Sequence, residues 1–97
     1  MANKQKGIVS IELDKKRTLR YTLNALAEIE DVLGVPLSQM SELEMGVKTV
    51  RTMLWAGLLH EDENLTEKAV GNMVDFGNLE YIQTKVSEAF SAATAKK

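Results

Sequence analysis

Residues 51–66, RTMLWAGLLHEDENLT, limit the possible folds more than any other stretch of this chain. Their first part belongs to a helix that ends near His60. With successive residues about 100° apart around a helix axis, Val47, Val50, Leu54, Gly57 and Leu58 fall together. Met53 lies on one flank of that stripe, and Trp55 and Leu59 lie on the other. Thr49, Thr52, Ala56 and His60 make the only polar-to-neutral strip, while Lys48 and Arg51 interrupt the apolar side. A surface helix needs cover along one stripe; a helix apolar around most of its circumference needs cover on several sides. This one is expected at the centre of the fold. The acidic run at 61–64 then ends it.

The flanking segments supply the cover. In residues 7–13, Val9, Ile11 and Leu13 alternate onto one face, and 18–21 alternates again after a polar turn at 14–17, so 7–21 reads as a β-hairpin. A two-stranded ribbon is marginal alone and has to lie on helices or on another copy. A helix follows from Thr22–Asn24 to Leu33, with Ala25, Leu26, Ile29, Val32 and Leu33 as its stripe. Gly34 and Pro36 stop it, because glycine accepts the left-handed conformation and proline cannot continue a helix. Ser41 to Glu44 matches a capping box for the central helix, which has a second possible start at Gly46. Thr66 caps a short third helix ending near Val74. Asn78 caps a fourth, whose stripe is Leu79, Ile82, Val86, Ala89, Phe90 and Ala93. The expected class is α+β, mostly α: an N-terminal β-hairpin followed by four helices, in one domain over 1–97. Residues 1–6 and 91–97 are expected to fray, and 22–90 forms the helical body.

Composition narrows the function. A chain of 97 residues buries only about 60–65% of the surface its unfolded form exposes, so self-association would help it. The absence of cysteine removes disulfide, thiolate-metal and thiol redox chemistry. No apolar run reaches the ~18 residues of a membrane span, and the opening MANKQKG has no signal-peptide core. These features suit a cytoplasmic protein without a membrane. The net charge of −2 conceals an asymmetry: six basic against two acidic side chains give +4 in the first twenty residues, leaving −6 for the rest. That pattern suits either head-to-tail pairing of copies or an ordinary solvated surface.

Catalytic equipment is not expected. His60 is the lone histidine; consecutive acidic neighbours cannot converge on one ion, and the calcium-loop spacing is missing, so no metal site is expected. The serines and threonines have no second histidine to pair with, and the glycines form no phosphate-cradling loop, so no cofactor is expected. Lys15, Lys16 and Arg17 at the hairpin tip could touch phosphates, yet the remainder is acidic and no aromatics interleave, so nucleic-acid binding is not expected. Glu30 and Arg51 intrude on two apolar stripes and would explain each other as an ion pair. The candidate site is a partner-binding or self-association surface of Met53, Trp55 and Leu59, residue types common at adaptable interfaces.

Three segments carry a family resemblance: RTLRYTLNALAEIEDVLGVPL, VRTMLWAGLLHEDENLT and VGNMVDFGNLEYIQTKVSEAF. A strand enters a helix at a Y-T-x-N-A-L-x-x-I-E pattern ending in glycine. An L-W-A-G-L helix, an acidic turn, L-T, a short helix and an amphipathic helix follow. This order, over roughly 17–90, resembles the tail assembly chaperones of long-tailed phages, prophages and gene transfer agents. The resemblance implies a factor of the bacterial host cytoplasm, absent from the mature virion. It implies a homo-oligomer that covers the tape measure protein until tail tube protein polymerises around it. It also implies a longer product made by frameshifting near the end, for which Ala95-Lys96-Lys97 would supply an adenine-rich site. A tail-completion or head–tail connector subunit is the alternative, followed by a small nucleic-acid-binding regulator.

Overall fold

The computed structural model describes residues 8–36, 38–39 and 46–94. Strands β1 (Ile8–Glu12) and β2 (Lys16–Arg20) pair antiparallel, with Val9 opposite Leu19 and Ile11 opposite Arg17. Alternation carries Val9, Ile11, Leu19 and then Tyr21 to one buried face. The loop is the three residues 13–15, so Lys16 and Arg17, expected in the turn, belong to β2. The reason is electrostatic. Arg17 donates two hydrogen bonds to the Asp14 carboxylate, at 2.8 and 3.0 Å, and this pairing lets an arginine only 8% exposed take an inward position.

Helix α1 (Leu23–Leu33) keeps its expected signals. Thr22 Oγ1 accepts from the Ala25 amide at 3.1 Å, and Gly34 closes the helix at φ +73°, donating to the Glu30 carbonyl. Ala25 and Ile29 are buried, Leu26 and Leu33 half-buried, and Val32 is exposed. Helix α2 (Val47–Leu58) starts after Gly46, the later of its two expected starts. The capping box at 41–44 lies outside the described residues. Helix α3 (Glu67–Gly71) is capped by Thr66, whose Oγ1 accepts from the Ala69 amide at 3.1 Å; it ends three residues short of Val74. Helix α4 (Leu79–Thr94) buries Ile82, Val86 and Ala89 and runs past residue 91, where fraying was expected.

The result is an α+β, mostly α arrangement of hairpin and four helices, with α2 at its centre. Helix α2 touches α1, β2, α3 and α4, while α4 also lies on both strands. The middle of the strip read as polar is therefore inside: Thr52 and Ala56 are 2% and 0% exposed, while Thr49 is half-buried and His60 exposed. The Thr52 hydroxyl is satisfied there by Glu67 Oε1 at 2.8 Å. The open side of α2 is instead Lys48, Arg51, Trp55 and Leu59, exposed or half-buried. Beside Gly57 a neighbour comes unusually close: an added Cβ would stand 2.9 Å from Leu19 Cδ2 and 3.1 Å from Tyr21 Cζ. The Tyr21 ring meets Phe90 edge-on at 5.8 Å, and its hydroxyl donates to the Met53 carbonyl. Burial pushes that phenol far above its ordinary pKa.

Candidate partner-binding surface

Met53, Trp55 and Leu59 do not form one surface. Met53 is 6% exposed and belongs to the core, its carbonyl holding Tyr21. The cause is angular: on a helix it points about 160° away from Trp55, toward the side other elements cover. Trp55 and Leu59, one turn apart, are brought together on the open side and are both half-buried. The indole N–H donates to the Leu65 carbonyl at 2.8 Å, which ties α2 to the segment entering α3. Trp55 thus serves the fold with its edge and offers part of its ring to solvent.

The acidic turn after α2 has structural work. Glu61 Oε2 accepts from the Thr18 amide at 3.0 Å and from the Thr18 hydroxyl at 2.6 Å. His60 Nε2 lies 3.0 Å from the Thr18 carbonyl. A carbonyl only accepts, so this nitrogen carries the proton. Both backbone groups of Thr18 therefore face away from β1, and the turn covers the outer edge of β2 that would otherwise stand open. At the other edge, the Glu12 amide donates to the Tyr81 hydroxyl at 2.9 Å. Among the described residues, no three His, Asp or Glu side chains gather as a metal site requires.

The basic features change meaning as well. Arg17 is turned inward and neutralised by Asp14, whose carboxyl is held down at about 2 by the Arg17 hydrogen bonds. Lys15 and Lys16 remain exposed at the tip. Arg51, expected beside Glu30, pairs with Glu67, Nε to Oε1 at 3.6 Å. Glu67 sits in the first turn of α3, so the helix dipole favours its charge while it meets both Thr52 and Arg51.

A second apolar feature was not legible in the sequence. Between α2, α3 and the start of α4 lies a cleft of about 310 Å³, walled by Val47, Val50, Leu54, Val70, Val74 and Leu79. Arg51 and Asp75 are the charged side chains on its wall, and Phe76 stands at its margin, 87% exposed. Phe76 looks like an ordinary turn residue in sequence. Only the packing of α3 against α2 shows that the turn borders an apolar hollow. Among the described residues, no helix is long and apolar enough to cross a membrane. Comparison with protein-family models, curated proteins and solved structures finds nothing that matches this chain.

Proposed function

We propose that this chain is a non-enzymatic tail assembly chaperone of a long-tailed phage or prophage. In this reading it binds the tape measure protein in the host cytoplasm, shields it until tail tube protein polymerises, and is left out of the finished particle. The observation that carries the reading is the ordered set of segments over roughly 17–90, from the strand leading into a Gly34-stopped helix to the final amphipathic helix. The half-buried Trp55 and Leu59 add support. They give the central helix a small apolar ridge beside Arg51 and Lys48, suited to the stripe of a partner helix.

Co-expression tests this directly. A tape measure protein that is insoluble alone should stay in the supernatant with this chain and co-purify with it, and the finished particles should lack the chain. Stoichiometric presence in purified particles would instead make it a structural subunit. The opposed charges of its first twenty residues and its remainder favour that second reading, since they permit head-to-tail assembly.

A further inference from the structure

Residues 61–78, all of them described, run past α2 with a single buried side chain, Val70. Helix α3 within this stretch has five residues, whereas an isolated helix is marginal below about 12–15, so its surroundings hold it. Among the described residues, α2 is the one element it packs on beyond a grazing contact. Three polar fastenings join the two. The Trp55 indole donates to the Leu65 carbonyl at 2.8 Å, and the Thr52 hydroxyl donates to Glu67 Oε1 at 2.8 Å. Arg51 Nε stands 3.6 Å from the same carboxylate oxygen. The apolar fit beside them is incomplete: the cleft of about 310 Å³ opens where Val70 and Val74 face Val50 and Leu54. Both ends of the stretch are tied down elsewhere. Glu61 accepts from the Thr18 amide and hydroxyl, and Asn78 accepts from the Asp75 and Ile82 amides.

We propose that residues 65–74 are a strap that opens as one unit while the hairpin, α1, α2 and α4 stay folded. The closed strap keeps Thr52 buried under Glu67 and backs Val50 and Leu54 across the cleft. Opening exchanges its polar fastenings for bonds to water, so they add little net resistance. The apolar loss is centred on Val70. Helix α4, by comparison, buries Ile82, Val86 and Ala89 and lies on both strands as well as on α2. Segments with few buried apolar side chains are the ones that open below the free energy of global unfolding. The fixed turns at either end act as hinges and return the strap to its place. The open state joins Val50, Thr52 and Leu54 to the ridge of Trp55 and Leu59, so α2 has a covered and a presented form. This inference is independent of the proposed function.

Native-state hydrogen exchange of the full chain, followed by NMR at rising urea below the unfolding transition, tests it. The Val70 and Asn72 amides, bonded to the Thr66 and Lys68 carbonyls, and the Trp55 indole N–H report on the strap. All three should share one protection factor, at least about a hundredfold below that of the centre of α2 and nearly insensitive to urea. The α2 amides should lose protection steeply with urea, as global unfolding requires. A thiol reads the same event from beneath the strap. The chain has no cysteine, so Thr52→Cys sets a single thiol under Glu67, and Ala89→Cys sets one in the core away from the strap. The first should react with a thiol reagent at least about tenfold faster than the second, and only the second should accelerate strongly with urea. Strap protons that follow α2 in both protection and urea slope overturn the proposal. So do strap protons whose protection factors differ widely from one another, since that is fraying residue by residue. Equal labelling of the two folded variants overturns it too; should either variant fail to fold, exchange in the wild type decides.

Discussion

Gly57 shows how little slack the centre of this molecule has. In a helix, alanine is normally better than glycine by roughly 1 kcal/mol. Here the added methyl would press on Leu19 Cδ2 at 2.9 Å and on the Tyr21 ring at 3.1 Å. The leucine terminus can move, but the tyrosine is held by Met53 on one side and Phe90 on the other. Overpacking costs typically ~1–3 kcal/mol. Gly57→Ala is therefore expected to destabilise by about 1 kcal/mol net, read as a lower urea midpoint with an unchanged slope. Asp14 gives a pH signature. Its carboxyl titrates at about 2 in the folded chain against 3.8 for the free group, chiefly because Arg17 donates to it. A depressed folded value means the pairing contributes fully above 3.8 and fades as pH falls through about 2. The melting temperature should drop over that window in the wild type. In Asp14→Asn the drop should be smaller, starting from a lower plateau; identical acid limbs in the two proteins would remove Asp14 from the account.

At the scale of elements, local chemistry set the helix ends and tertiary contacts set the faces. Thr22, Gly34 and Thr66 act at α1 and α3 as their residue types predict, because capping is a bond between neighbours in sequence. Asn78 departs from expectation: its side chain turns back to the Asp75 amide and holds a turn, leaving its carbonyl to accept from Ile82. The acidic run 61–64 was readable as a break and nothing more. That it would reach 43 residues back to Thr18 depends on where α2 ends in space. Removing that clamp has a measurable consequence. Glu61→Ala leaves the outward Thr18 amide to solvent, so its hydrogen exchange should accelerate while amides in the centre of α2 keep their protection. The global stability change should stay within roughly 1 kcal/mol, since the carboxylate is exposed. Equal acceleration throughout the chain would mean the clamp holds the whole fold and not an edge.

For the whole molecule, burial separates residues that look alike in sequence. Met53→Ala should cost ~2–5 kcal/mol and lower the melting temperature, because it empties core space. Leu59→Ser should cost far less, since Leu59 is half-buried on the open side of α2, and in the proposed chaperone it should still weaken partner capture. A Leu59→Ser protein that folds and captures the tape measure as the wild type does would move binding off this ridge. Local pattern was enough for the class: a hairpin and four helices follow from residue periodicity, caps and stop signals, which act over a few positions. It also determined that α2 needs cover on several sides. Which sides were closed, however, was a matter of neighbours distant in the chain. The packing of α1, β2, α3 and α4 around α2 sent Met53, Thr52 and Ala56 inward and left Trp55, Leu59 and Arg51 outward. It also opened the cleft beside Phe76, a hollow made by three elements meeting and therefore written in none of them alone.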